Sequence, residues 1–425
     1  MVKRISALLL VLSLLLCFAL ACDKQQDEAP EQPDEGEQQK AGVTIDEEYV
    51  IVFPQGYDLY IDRAVSMLVT SLMKKTGVEL KITNERSEAQ DKEIVVGACN
   101  RFDAASVTAP LSLQGEKVIL YAKDAAEIYC SAQRFVDNCI AAGATDADGR
   151  LCLDAQALSD VAAMGSAYDT GVRVLTQNLR YANDKDGNSV AERSERFVAL
   201  VDEYAPDIIG TQEATPLWTQ YLNEHFSNKY GMVGVFRDGV GTGGDEANYI
   251  LYRKDRFTVE ESGTFWLTET PEEISRVDKA LCNRICTWAL LRDTRSGKQL
   301  LACNTHLDHS TDAIRLQQLQ ALFDYLAIDM KYTPVVFTGD FNMLRDSEPY
   351  EAVIDFGLKD GQRNAWIDDS EVDHSCHLYR DEGELIDYCF YSKEWTPIYT
   401  KIISDDYDGY VSDHYGVIVD FIAFD

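Results

Sequence analysis

A chain of 425 residues with 46% hydrophobic content is too long for one ordinary domain and too apolar to be unfolded throughout, so two folded units with appendages are expected. Its net charge of −33 opposes broad contact with a polyanion, because nucleic-acid binding rests on lysine and arginine displacing counterions along many phosphates. A bound cation or a local basic patch can still reverse that sign within one site.

Lys3 and Arg4 precede an apolar run over residues 5–20 that is too short to span a bilayer comfortably and ends in small residues, the pattern of an export signal over residues 1–22. Ala19-Leu20-Ala21-Cys22 resembles a bacterial lipobox, which implies lipidation of Cys22 and a membrane anchor. Ala19-x-Ala21 equally suits plain signal cleavage and free secretion. Residues 23–42 have almost no apolar content and read as an acidic, solvated tether. Export permits disulfides, yet the cysteines form no CxxC pairs. Cys99, Cys130, Cys139, Cys152, Cys303 and Cys389 sit in apolar stretches, as buried free thiols do.

Residues 43–165 read as a small α/β accessory domain. Strand YVIVFP leads to an amphipathic helix over 61–75 stopped by Gly77, then strands VELKIT, EIVVGA and KVILYA, a helix over 125–142 and strand RLCLDA. This unit has no cluster of acids, histidines or phosphate-binding glycines. It resembles accessory domains of secreted glycan-active enzymes, which implies a glycan contact; a structural spacer explains it equally well. A polar stretch around residues 160–170 separates it from residues 171–425. There, strands VRVLTQN, DIIGTQE, NYILYR, QLLACNTHL, TPVVFTGDF, ELIDYCFY and GVIVDFI alternate with helices over 194–204 and 312–329. The pattern predicts an α+β unit of two sheets packed face to face with helices outside.

Six of the C-terminal runs end in polar residues: Asn178 after VRVLTQ, Glu213 after DIIGTQ, His306 and Asp308 in CNTHLD, Asp340 and Asn342 in FTGDFN, Asp387 in LIDYCFY, and Asp413 with His414 in VSDHYGV. Each alone is explained by a turn, a cap or a surface acid. Together they supply the carboxylates, amides and imidazoles that a hard divalent cation and a phosphate ester both require.

On these motifs residues 173–425 resemble the endonuclease/exonuclease/phosphatase superfamily, with QNLR, GTQE, NTHLD, TGDFN, IDY and SDH in the family's order. The resemblance implies a DNase I-like, four-layer α/β/β/α sandwich behind the small α/β domain, and metal-dependent phosphoester hydrolysis. It implies Mg²⁺, or Mn²⁺ in its place, bound by Glu213 with the amide oxygen of Asn178, and Asp413 as a further metal carboxylate. Asp340 would orient or deprotonate the attacking water, and Asn342 would donate to phosphoryl oxygens. His414 would contact the scissile phosphate, oriented by Asp387, and His306 would be a phosphate ligand or leaving-group acid with Asp308 beside it. Which histidine is acid and which base stays open at this point.

On the substrate side, Arg237 in VFRDG and Arg284 in CNRICTW are candidates to hold a second phosphate or a sugar, and Trp266 in GTFWL to stack on a ring. A surface arginine and a core tryptophan are the plainer explanations. His374 and His377, in DHSCHLY, read as a solvated loop or a second metal site. GTFWL, R-x-C-T-W and NTHLDH resemble the bacterial secreted branch of the superfamily. The expected substrate is a compact phosphate ester: a phospholipid headgroup, a sugar phosphate or a glycan phosphodiester. The rival readings are a secreted nuclease and a non-catalytic, glycan-binding surface protein.

Overall fold

The strands of the C-terminal part are covered on both faces, and the parity of their side chains decides the layering. In strand Val172–Asn178, Val172 and Val174 point into the space between two sheets, while Leu175 packs on the opposite face against Phe197 and Leu200 of helix Val190–Tyr204. The computed structural model describes residues 42–423 apart from 57, 108, 124, 164–170 and 186. The export segment, Cys22 and the tether up to residue 41 lie outside the described residues.

One sheet has the order Tyr230–Val233, Ala247–Arg253, Ile208–Ala214, Val172–Asn178, Gly416–Ile422, Thr396–Ile403, Ile367–Asp368. The other runs Phe257–Trp266, Ile285–Asp293, Gln299–His306, Val335–Asp340, Asp387–Tyr391, Lys359–Asp360. Val174, Ile208, Ile250, Ala289, Ala302, Val336 and Val419 fill the space between them. Helix Asp312–Tyr332 and helix Glu348–Asp355 cover the outer face of the second sheet through Leu319, Leu322, Leu326 and Val353. Helices Val190–Tyr204 and Pro216–Phe226 cover the first. This is the expected α/β/β/α sandwich.

The N-terminal sheet has the order Lys81–Asn84, Val50–Phe53, Glu93–Val96, Lys117–Leu120, Leu111–Gln114, its first four strands parallel. Helix Leu59–Thr76 starts where Asp58 accepts from the Ile61 N–H (3.1 Å) and stops at Gly77, whose φ of 75° suits glycine. The segment expected as one helix over 125–142 is an α-helix over Ala125–Phe135 that continues as a π-helix, Val136–Ala141. Residues 43–425 cluster as one unit. Tyr60 donates to Asp420 (3.0 Å), which also takes a bidentate bond from Arg173 (2.6 and 2.7 Å), and Tyr129 meets Trp366 edge-on. Asp420 lies six residues along strand Gly416–Ile422 from His414, roughly 20 Å at the rise of an extended chain. The accessory part therefore docks far from the polar strand ends. Among the described residues no helix is long and apolar enough to cross a membrane, and Cys99, Cys139, Cys152, Cys282, Cys286, Cys376 and Cys389 are free thiols.

Near the site the sheets meet through polar side chains. Gln212 donates to Thr176 and Asn304, Asn304 donates to the carbonyls of Thr211 and Tyr249, and Thr338 donates to Asn304. Such a network fixes one registration of the sheets because an unpaired member would be costly. Gly210, in the GTQE motif, is what lets the sheets close: a Cβ there would lie 1.9 Å from the Thr338 hydroxyl. Gly210→Ala should lower stability by about 1–3 kcal/mol through overpacking, seen as a lower urea midpoint at unchanged slope.

Candidate active site

The register of the second sheet pairs His306 with Asp340 and Asp340 with Asp387, so three functional residues stand side by side on adjacent strands. In the first sheet Asn178 is paired with Gln212, next to Glu213. Strands Val172–Asn178 and Ile208–Ala214 run parallel, as do Gln299–His306 and Val335–Asp340, so their C-terminal ends share an edge. Strands Asp387–Tyr391 and Gly416–Ile422 run antiparallel to them and begin there.

Asn178 joins the two sheets. Its amide nitrogen donates to Glu213 (3.1 Å) and to Asp340 (2.9 Å), and its oxygen accepts from the Arg180 N–H (2.9 Å). The backbone donor fixes which way the amide faces, so Asn178 turns its N–H, not its oxygen, toward the carboxylates. Glu213 also accepts from the Tyr181 N–H (2.7 Å). Arg180, Glu213 and Asn342 have φ of 61°, 59° and 48°, left-handed values that side chains adopt at a cost of about 1–3 kcal/mol each. That three such residues cluster on one edge marks the place where the fold stores strain. Asn342 caps the turn through its N–H to Asp340 (3.0 Å) and gives one amide hydrogen to the Leu307 carbonyl (3.0 Å), leaving the other to donate.

The two histidines are pushed toward opposite charge states. His414 Nδ1 lies 2.8 Å from Asp387 Oδ2. Burial opposes its charge, but Asp387 and then Asp340 hold the imidazole well above its usual range. His306 lies 3.5 Å from Asp340; burial, followed by Arg284 and Arg237, holds it well below. The surroundings thus favour the charged form of His414 and the neutral form of His306. Ser375 was not anticipated. Its hydroxyl donates to Asp387 Oδ2 (2.7 Å) and accepts from the Ile386 and Asp387 N–H groups, fixing the carboxylate that His414 meets. The loop that carries it is buried, not solvated: His377 stacks on Tyr415 at 4.1 Å. Nothing periodic in DHSCHLY signals this. Asp413 is buried 3.5 Å from Arg180; burial and Glu213 raise its pKa against His414 and Arg180.

Two arginines, Arg284 and Arg237, act electrostatically on His306, and Asp340 acts on Arg284. Arg284 is 4% exposed, its Nη2 is 3.3 Å from His309 Nδ1, its Nε has no partner, and no carboxylate pairs with it among the described residues. Burial, then Arg237, presses against its charge. Arg237 is held by Glu246 through both terminal nitrogens (2.7 and 3.0 Å), and its Nε has no partner. Trp266 gives its indole N–H to the Arg237 carbonyl (2.7 Å), so it positions that arginine's loop instead of offering the N–H to a ligand. Asp308 is a correction. One oxygen accepts from the Leu281 and Cys282 N–H groups and the other from Ser310, so it fastens loops and has little left for a substrate.

Glu213, Asp340 and Asp387 have no lysine or arginine partner among the described residues, and one buried oxygen of Asp387 has no partner at all. Crowded, uncompensated oxygens of this kind suit a hard divalent cation. Donor atoms of Asp340, Asp387 and His414 lie within 4.8 Å of one another. The Nδ1 of His414, however, is engaged with Asp387 at 2.8 Å, so an oxygen-only set around Glu213 suits a hard cation better. Burial, then Asp387, pushes Asp340 up to about 7. A carboxyl raised in this way withdraws folding stability as pH climbs from its unfolded value of about 4 through about 7, and a neighbouring cation reverses the loss. Mg²⁺ or Mn²⁺ should therefore raise Tm clearly at about pH 8 and little at about pH 5 in thermal melts. Equal shifts at both would contradict the charge arrangement.

A model of the Endonuclease/Exonuclease/phosphatase family matches residues 175–414. Among solved structures the chain is similar to an endonuclease/exonuclease/phosphatase from Bacteroides vulgatus, at 31% identity and a TM-score of 0.56, covering 60% of this chain and 100% of that one. It is also similar to mannosyl-6-phosphatase from Bacteroides thetaiotaomicron, at 28% identity and a TM-score of 0.55, covering 59% and 100%. It is 26% identical over 183 residues to tyrosyl-DNA phosphodiesterase 2 of Rattus norvegicus, 43% of this chain and 44% of that protein, so it spans less than half of that relative's length. With the motifs, the sandwich and the converging carboxylates in place, the chain belongs to the endonuclease/exonuclease/phosphatase family.

Proposed function

We propose that this chain is an extracytoplasmic, Mg²⁺-dependent hydrolase of a compact phosphate ester, held at a bacterial membrane through lipidated Cys22. The observation that carries the substrate class is that Glu213, Asp340 and Asp387 have no lysine or arginine ion-pair partner while Arg284 is buried without a carboxylate ion-pair partner, among the described residues. A phosphoryl group bridging a cation and a guanidinium satisfies both.

In this reading Glu213 and Asp413 hold the cation, while the Asn178 amide spaces Glu213 from Asp340. The cation supplies positive charge to the phosphoryl and leaving oxygens. Asp340, drawn toward neutral pH by its surroundings, accepts the proton of the attacking water as that water approaches phosphorus in line. His414, charged and oriented by Asp387, donates to a phosphoryl oxygen, joined by the remaining amide hydrogen of Asn342. His306 stays neutral and accepts or gives one hydrogen bond without adding charge.

The net charge of −33 supports a small ester over a polymer, and the likeness to a mannosyl-6-phosphatase supports a sugar phosphate. The docking of residues 43–163 near Asp420, away from the strand ends, supports a spacer over a part of the reaction site. The test is a hydrolysis screen of the purified mature chain over sugar phosphates, phospholipid headgroups, nucleotides and plasmid DNA, with Mg²⁺ and with chelator. The expected result is chelator-sensitive turnover of a small ester, with Asp340→Asn and His414→Ala each lowering kcat/KM by about 10²–10⁴-fold while Tm holds. Turnover of DNA alone would favour the nuclease reading. Cys22→Ala should move the protein from the membrane fraction to the soluble one.

A further inference from the structure

We infer that Tyr181 is the residue with which this site grips the organic part of its ester, stacking its phenol ring on a ring of the substrate. The inference rests on the hydrolase reading above and adds a specificity-determining contact to it. Tyr181 is 47% exposed, yet its backbone belongs to the reactive edge, because its N–H donates to Glu213 (2.7 Å). Its neighbour Arg180 lies 3.5 Å from Asp413 and sets its guanidinium over the Tyr181 ring, 5.0 Å from the ring centre. These contacts bound where the ring can be. With ordinary covalent geometry its centre falls within about 10 Å of both the Glu213 and the Asp413 carboxylates. An ester whose phosphoryl group rests on a cation held by those two carboxylates brings its organic group within reach of that ring.

The ring is also oriented before any substrate arrives. The carbonyls of the loop that carries it are taken by two completely buried side chains. Arg193 donates to the carbonyls of Leu179, Arg180 (3.1 and 3.2 Å) and Ala182, and the Trp218 indole donates to that of Arg180 (2.9 Å). The Arg180 N–H is bonded to Asn178 (2.9 Å), and its guanidinium is held by Asp184 (3.2 Å) as well as Asp413. None of these bonds uses the Tyr181 side chain, so the loop does not need an aromatic residue at this position to keep its shape. The guanidinium covers one face of the phenol by a cation–π contact, and the exposed remainder is open to a ligand. A half-open aromatic face fixed beside a phosphate site is a stacking surface for a sugar or a base, and fixing it in advance lowers the ordering cost of binding.

The test measures KM and kcat on the mature chain with Mg²⁺ for two ring-bearing esters, glucose-6-phosphate and p-nitrophenyl phosphate, and for ring-free glycerol-3-phosphate. Wild type is compared with Tyr181→Ala, Tyr181→Leu and Tyr181→Phe. Tyr181→Ala and Tyr181→Leu should raise KM for a ring-bearing ester by about tenfold, the scale of one lost aromatic contact, with kcat changed less than about twofold. KM for glycerol-3-phosphate should stay within about twofold, and Tyr181→Phe should behave as wild type. A rise confined to glucose-6-phosphate supports a sugar as the stacked ring, and one confined to p-nitrophenyl phosphate supports a planar aromatic. Because the side chain is exposed, each variant should keep the wild-type Tm. If one does not, the wild-type KM decides, being about tenfold lower for a ring-bearing ester than for glycerol-3-phosphate. A loss shared equally by ring-bearing and ring-free esters, an unchanged KM in Tyr181→Ala, or a Tyr181→Phe as impaired as Tyr181→Ala overturns the inference and leaves the hydrolase standing. Absence of wild-type turnover for every ester, here and in the wider screen, would instead overturn the hydrolase reading and this inference with it.

Discussion

Carboxylates brought together without a lysine or arginine ion pair are the constraint from which the rest of this molecule follows. Glu213 and Asp340 come from different sheets and meet on a single amide hydrogen-bond donor, Asn178, while Asp387 is paired to Asp340 across one sheet. Like charges at such separations repel strongly where water is excluded, and no lysine or arginine forms an ion pair with Glu213, Asp340 or Asp387 among the described residues. A fold keeps such an arrangement only if something else over-determines it. Here that something is the sheet register, which fixes His306, Asp340 and Asp387 as neighbours whatever their charges prefer.

The same logic explains the polar interior near the site. Thr176, Gln212, Asn304 and Thr338 occupy inward positions that valine or isoleucine fill farther down the strands. They bond one another across the gap and hold the sheet ends in a fixed relation, so that left-handed residues at 180, 213 and 342 stay in place despite their cost. Reactive groups therefore sit on strand ends, with rigid support on one side and solvent on the other. Charge is sorted in the same space: carboxylates favour the charged form of one imidazole, while burial and then arginines favour the neutral form of the other, though both lie beside Asp340. Environment, not residue type, divides their roles.

Much of this was legible in the sequence because strands buried on both faces appear as unbroken apolar runs, and a polar residue that ends such a run has nowhere to go but the edge. VRVLTQN and TPVVFTGDF carry that signal, and each is a strand that ends in its polar residue, whereas Asp413 and His414 precede the strand formed by GVIVDFI. Strand Phe257–Trp266 escaped because it lies at a sheet edge and its VEES segment is polar and largely exposed. Helix Val190–Tyr204 starts four residues ahead of its expected start, at a capping box of Ser189 and Glu192. At the site, residue identity and order were readable but orientation was not: the turn of the Asn178 amide depends on the Arg180 N–H, and the engagement of Asp308 on a loop some 27 residues earlier in the chain. Ser375 had no local signal, since its role exists only once the 375 loop meets strand Asp387–Tyr391.

The accessory part contributes through Tyr60, Tyr129 and the aromatic contacts around Trp366 and Tyr399, which join it to the sandwich without approaching the reactive edge. What the catalytic edge does is then a matter of where a cation and a phosphoryl group settle along it. Crystals of the mature chain grown with Mn²⁺ and orthophosphate, measured at the manganese absorption edge, test this most directly. The account predicts an anomalous peak against Glu213 with the phosphate between it and Arg284. A cation seated on Asp387 and His414, or a phosphate bound away from Arg284, would contradict it.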